Sequence, residues 1–138
     1  MGRHFIMASH GTLAQGMKNA IEIILGSQPN LFSFCAYVKG NEDITQSINQ
    51  FMRQFATDDE IIIVTDIFGG SVNNEIMKYL INTNIHLIAG LNLSLMIQLL
   101  TNNEPVAILI EEAIKSSTQS IQYCNQTLKH CAIADNDF

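Results

Sequence analysis

Basic residues are scarce in this chain: seven Lys and Arg stand against 13 Asp and Glu, for a net charge of −6. Such a surface repels a phosphate backbone unless a local basic patch offsets it, and the sequence has no Lys/Arg cluster, which argues against nucleic-acid binding. Long apolar runs are missing too. Purely apolar stretches such as residues 61–64 fall far short of the roughly 18 residues a membrane span needs. The start, Met1-Gly2-Arg3-His4, runs into a strand-like segment with no signal-peptide cleavage pattern, so a cytoplasmic location is expected. Cysteines are few. Cys35, Cys124 and Cys131 are odd in number and lack Cys-x-x-Cys spacing, which fits reduced structural thiols better than a disulfide or a zinc site. Linkers, low-complexity stretches and internal repeats are absent. With 138 residues, 47% of them hydrophobic, the chain reads as one acidic globular domain, 1–138, able to bury a real core.

What is present is an alternation of two periodicities. Residues 5–8, 31–38, 61–64 and 85–89 are short runs rich in β-branched or aromatic residues and read as buried strands. Between them apolar residues recur at helical spacing. Leu13, Met17, Ala20, Ile21 and Ile24 form one such face, stopped by Gly26. Ile44, Ile48, Phe51, Met52 and Phe55 form a second, entered through Asn41-Glu42-Asp43; Val72, Ile76 and Met77 with Leu80 form a third. A β-α-β-α-β-α-β order implies right-handed crossovers and a parallel sheet covered on both faces. Beyond Ala89, residues 93–100 suggest a short helix. Residues 106–110 alone would pass for a strand, but Pro105 suits a first helical turn and the period continues to Ile114, so a helix is expected. The stretch 129–138 reads as a short edge strand or a frayed tail.

The chemistry gathers at two strand ends. The first run leads into Ser9-His10-Gly11-Thr12 and a helix; the third leads into Thr65-Asp66-Ile67-Phe68-Gly69-Gly70-Ser71 and another. Open α/β sheets place ligands at such ends, where the next helix offers backbone N–H groups to anions. A carboxylate such as Asp66 on the Nδ1–H of His10 would fix the tautomer and leave Nε2 free to attack a phosphoryl group. Gly11 would let the backbone approach that group, N–H groups at Thr12 would face its oxygens, and Ser71 would add a hydroxyl. Each residue also has a plainer role: His10 as a packed or capping residue, Asp66 as a helix cap, Gly69-Gly70 as a turn. His4 and His86 in strands, and His130 near the tail, read as structural or solvated. Met17 reads as core, and Phe68 as either core or an exposed anchor for partners.

Three segments together resemble the enzyme IIA component of the mannose/fructose/sorbose family of the bacterial phosphoenolpyruvate:sugar phosphotransferase system. They are Ser9-His10-Gly11 with Leu13-Ala14-Gln15-Gly16, Thr65 to Ser71 with Asn74, and Gly90-Leu91-Asn92-Leu93. The resemblance implies that His10 takes a phosphoryl group from the phosphohistidine of HPr and passes it to the IIB component, for sugar uptake through the IIC/IID membrane components. It further implies Asp66 as the partner of His10, sheet order 2-1-3-4, and a homodimer exchanging a fifth, antiparallel edge strand. The chain departs from the family where Val72 and Ser94 replace common prolines. No metal or organic cofactor is implied.

Other readings share parts of this pattern. A receiver-like domain phosphorylated on Asp66 should carry an acidic pair after the first strand, where this chain has Ala8-Ser9-His10. A serine hydrolase wants Gly-x-Ser-x-Gly, which the stretch from Gly69 to Asn73 does not supply. A phosphocarrier subunit of a dihydroxyacetone kinase would use the same histidine chemistry, and a regulatory module sensing phosphorylation would stop short of onward transfer.

Overall fold

A computed structural model describes residues 2–40 and 42–134. Strands β1 (Arg3–His10), β2 (Leu31–Ala36), β3 (Glu60–Thr65) and β4 (Ile85–Ala89) form one parallel sheet in the order 2-1-3-4. Helices α1 (Leu13–Leu25), α2 (Ile44–Met52) and α3 (Ser71–Met77), the last extended by a 3-10 turn over Lys78–Ile81, make the crossovers. Helices α4 (Leu93–Thr101), α5 (Val106–Gln119) and α6 (Cys124–Ala134) follow. The chain divides into two compact units, Met1–Leu93 and Ser94–Phe138.

The two-residue period of the strands decides what each sheet face holds. Ile6 and Ala8 of β1, with Ile61 and Ile63 of β3, face Ile48 of α2 and Val72 and Ile76 of α3. The alternate residues Phe5, Met7, Ile62 and Val64 are also buried, on the opposite face, where α1 lies across β1 and β2. Layers on both faces make the first unit a three-layer α/β sandwich and explain why the central strands are nearly continuous apolar runs.

Local chemistry sets the helix boundaries. Asp43 caps α2 by accepting from the N–H groups of Thr45 and Gln46 at 3.1 and 3.3 Å, while Asn41 lies outside the described residues. Gly26 ends α1 at φ 83°, its N–H on the Glu22 carbonyl. Pro105 caps α5, with its carbonyl accepting from Leu109 N–H at 2.9 Å. Residues 106–110 are thus helical, as their longer period indicates. In the second unit Leu95, Met96 and Leu99 of α4 and Leu109 and Ala113 of α5 are buried.

Three expectations need correction. The second strand stops at Ala36 instead of reaching Val38, because Tyr37 turns the backbone to φ 65°. On α1 the buried residues are Ala14 and Ile21, while Leu13 and Ile24 are 49% and 53% exposed. Leu13 and Ile24 lie about three turns apart on a flank, and it is the small Ala14 that faces the sheet. Residues 129–134 continue α6 and do not form an edge strand; Leu128, Lys129 and Ala132 are good helix formers, and the stretch lacks a two-residue apolar alternation. The four residues beyond, and the side chains from His130 onward, lie outside the described residues.

Candidate functional site at the carboxyl ends of β1 and β3

His10 is the last residue of β1, and its place in the alternation puts its side chain on the face that carries α3. Asp66 follows β3 directly and extends the ladder, its N–H donating to Ala8 carbonyl at 3.2 Å. Neighbouring strands in parallel register therefore bring the two side chains together. Asp66 Oδ2 accepts the backbone N–H of His10 at 2.8 Å and lies 2.9 Å from ring Nδ1. Asp66 Oδ1 accepts from Ile67 N–H at 3.0 Å, so both carboxylate oxygens are engaged. With an acceptor at Nδ1, the proton of a neutral imidazole belongs there and Nε2 carries the lone pair.

The charge of Asp66 is set by opposing effects. Burial pushes its carboxyl up, but hydrogen bonds from the backbone and ring of His10, with the charge on that ring, outweigh it and hold Asp66 below the ordinary aspartate range. The Asp66 carboxylate is thus ionised at neutral pH. The His10 side chain is 44% exposed and that of Asp66 12%, which leaves the ring accessible and its orienting group shielded.

The loops around the pair are held by local polar contacts. Ser9 Oγ accepts from Ala14 N–H at 2.8 Å and donates to the Gly11 carbonyl at 3.1 Å, fixing the turn between β1 and α1. Gly11 adopts φ 59° and spends its N–H on the Ala36 carbonyl at 2.7 Å. Thr12 occupies the N-cap of α1. Below the second loop, buried Thr65 Oγ1 donates to Asn73 Oδ1 at 2.7 Å, and Asn74 Nδ2 donates to the Gly69 carbonyl at 3.0 Å. A Cβ on Gly70 would sit 2.8 Å from Ile67 Cγ2 and 3.3 Å from His10 Cε1, so a side chain there would displace Ile67 and press on the His10 ring. The third motif reaches the same strand end, since Gly90 and Leu91 N–H groups both donate to the Thr65 carbonyl at 2.9 Å.

The expected residues therefore converge. His10 and Asp66 are in direct contact, and Ser71 Oγ lies 3.4 Å from His10 Nε2. Gly11 and Thr12 join His10 to α1, although the Gly11 N–H is already committed. One side chain was not anticipated in its place, and another had two readings. Tyr37 stacks on His10 with ring centroids 5.7 Å apart and puts its hydroxyl 2.8 Å from Ser71 Oγ. Phe68 is 81% exposed and its neighbour Ile67 58%, which removes core packing as the role of Phe68. Tyr37 is not separable from an ordinary strand residue by type or spacing, whereas the exposed reading of Phe68 is the one the structure bears out.

His4 sits near the opposite end of β1, its Nε2 3.4 Å from Asp59 Oδ2 and its ring against Phe32 and Phe55. Cys35, half-buried, and Cys124, exposed, are free thiols. Among the described residues no three His, Cys, Asp or Glu side chains gather to hold a metal ion, and no helix is long and apolar enough to cross a membrane.

Comparison with known proteins places this architecture. The model of the family described as PTS system fructose IIA component matches residues 4–118. The PTS system fructose-specific EIIA component of Bacillus subtilis (strain 168) is 24% identical over 136 residues, covering 96% of this chain and 93% of its own. A crystal structure from Klebsiella pneumoniae, described as a phosphoenolpyruvate-dependent sugar phosphotransferase system (PTS) permease, superposes with a TM-score of 0.89 at 47% identity, covering 93% of this chain and 95% of that one. The phosphotransferase system component EIIA from Streptococcus agalactiae gives 0.77 at 25% identity, over 90% and 98%. The chain belongs to the family of PTS enzyme IIA components of the mannose/fructose type.

Proposed function

We propose that this chain is a phosphoryl carrier: His10 Nε2 accepts a phosphoryl group from the phosphohistidine of HPr and passes it to the IIB component, driving sugar uptake and phosphorylation through IIC/IID. The observation that carries this reading is the double engagement of Asp66 Oδ2 by the backbone N–H and the ring of His10, at 2.8 and 2.9 Å. It keeps the proton on Nδ1 and aims the Nε2 lone pair away from the carboxylate. In the forward step the Nε2–P bond forms as the donor N–P bond breaks, the donor nitrogen keeping the electron pair. The Nδ1 proton does not leave. Asp66 then offsets the positive charge that the ring carries while phosphorylated, and the step to IIB reverses the same displacement.

Transfer through a loose transition state asks the protein mainly for position and for donors to the phosphoryl oxygens. Ser71 hydroxyl, 3.4 Å from Nε2, is one such donor, and the N–H of Thr12 at the head of α1 is a second. Gly11 contributes by conformation, its φ of 59° turning the chain from strand to helix in a region that favours glycine. Phe68 and Ile67 form an apolar rim for protein partners. The family match, residues 4–118, spans most of the first compact unit and continues into the second, which supports reading 1–138 as one functional domain. This role is cytoplasmic, and the carrier acts as a homodimer. No cofactor takes part.

The test is intact-protein mass spectrometry after incubation with phosphoenolpyruvate, enzyme I and HPr. Wild type should gain a single acid-labile phosphoryl group that His10→Ala does not gain, and should lose it when IIB is added. A His10→Ala protein still labelled on histidine refutes the assignment. Labelling without transfer to any IIB moves the chain to a regulatory role.

A further inference from the structure

Tyr37 is the non-glycine residue with a left-handed backbone among the described residues, at φ 65°. A bulky side chain disfavours that conformation, and strain of this kind persists where the surroundings fix it, often beside a functional group. The turn carries the Tyr37 ring to within 5.7 Å of the His10 ring, at an interplanar angle of 30°. It also sets the phenol 2.8 Å from Ser71 Oγ, which lies 3.4 Å from His10 Nε2.

We propose that Tyr37 is a positioning residue for the reacting nitrogen: its phenol donates to Ser71 Oγ and thereby commits the Ser71 hydrogen to His10 Nε2 and, after transfer, to a phosphoryl oxygen. The proposal rests on His10 being the phosphoryl acceptor. Its logic is the direction of a hydrogen-bond chain. Asp66 can only accept, so Nδ1 donates and Nε2 of the neutral ring must accept. The hydroxyl nearest Nε2 is that of Ser71, which has one hydrogen to give. If Ser71 gave it to Tyr37, oxygen lone pairs would face the Nε2 lone pair. One orientation satisfies every atom: Tyr37 donates to Ser71, Ser71 to His10, and His10 to Asp66. A phosphoryl oxygen is likewise an acceptor, so as phosphorus takes the Nε2 lone pair the Ser71 hydrogen turns from Nε2 to that oxygen while Tyr37 still donates to Ser71.

Tyr37 also packs against the core cluster of Ile6, Ala8 and Ala36, so deleting its ring would disturb the fold. Tyr37→Phe keeps the ring and removes the donor. Two measurements on the full chain, with thermal melting to verify folding, test the proposal: the imidazole nitrogen resonances of His10 in the unphosphorylated protein, and the transfer rate from phospho-HPr. Tyr37→Phe should move the Nε2 resonance toward that of a free lone-pair nitrogen. It should also lower the rate at saturating phospho-HPr by roughly 2- to 10-fold, the worth of one hydrogen bond, with KM unchanged. In a Ser71→Ala background the same change should do nothing further. A wild-type Nε2 resonance in Tyr37→Phe, or a rate loss that persists in full without Ser71, overturns the proposal. If wild type takes no phosphoryl group while the Nε2 resonance still responds to Tyr37→Phe through Ser71, the relay reading falls and the positioning of His10 stands.

Discussion

His10 and Asp66 are joined twice through a single oxygen, Oδ2 accepting both the backbone N–H and the ring Nδ1 of the histidine. The backbone bond fixes where the carboxylate sits, and the ring bond uses that fixed point to orient the imidazole. Asp66→Ala removes both at once. Phosphoryl transfer to His10 should then slow by ~10²–10⁴-fold, the usual contribution of a positioned acid–base partner. Rapid-quench transfer from phospho-HPr measures it, and a wild-type rate would remove Asp66 from the mechanism.

The same contacts make a statement about pH. The folded Asp66 carboxyl is held below its ordinary range, whereas in the unfolded chain it is not, so the unfolded state binds its proton first as pH falls. The stability contributed by the pair is complete above the ordinary carboxylate range and is lost as pH drops through the depressed folded value. Urea midpoints of wild type and Asp66→Asn should therefore differ at neutral pH, begin to converge only below about pH 4, and meet beneath the depressed folded value. A difference that stays constant to acid pH would show that Asp66 stabilises the fold without its charge.

Ile21 tests the orientation of α1. It is fully buried, whereas Leu13 and Ile24 on the same helix are half exposed. Ile21→Asp places an unpaired carboxylate in an apolar layer and should destabilise the protein by several kcal/mol, on the order of what an uncompensated buried charge costs. Leu13→Asp should cost far less. Equal melting temperatures for the two variants would contradict the helix face.

These contrasts show what a sequence can and cannot carry. The strand and helix order was legible because residues 61–64 and their counterparts are short apolar runs separated by segments of helical period. The candidate pair was legible because His10 and Asp66 each end such a run before a glycine-bearing loop, and parallel register brings the two ends together. Periodicity did not resolve which neighbour on α1 faces the sheet, since Leu13 is the more apolar residue and Ala14 is the buried one. Nor did it reveal Tyr37. An aromatic at the end of an apolar run looks like a strand residue, and only its left-handed backbone ends β2 and turns the ring onto His10. The stretch 129–138 reads in sequence as an edge strand or a frayed tail because a polar tail has no period to distinguish strand from helix, and residues 129–134 are helical instead.

Phe68 stands on the loop that carries Asp66, four-fifths exposed beside half-exposed Ile67. A solvated aromatic next to a reacting group suits a protein partner that must approach the same nitrogen. Phe68→Ala should raise KM for phospho-HPr by about tenfold, the loss of one aromatic anchor, and leave the saturated rate near wild type. Steady-state transfer kinetics separate the two. A fall in the saturated rate at constant KM would assign Phe68 to the chemistry instead of to docking.

The second unit exposes large apolar side chains of its own: Ile121 at 81%, Tyr123 at 66% and Leu128 at 70%. Their closeness in sequence, across the turn between α5 and α6, concentrates apolar surface that water solvates poorly and that an interface would cover. A homodimer formed through this region should dissociate when a charge enters it, because an unpaired carboxylate at an apolar contact is desolvated on association. Sedimentation equilibrium of wild type should then give a dimer, and Leu128→Asp a monomer that still accepts a phosphoryl group on His10. A Leu128→Asp protein that remains dimeric would place the contact between subunits on another face, with the exposed Leu13 and Ile24 of α1 as the next surface to charge.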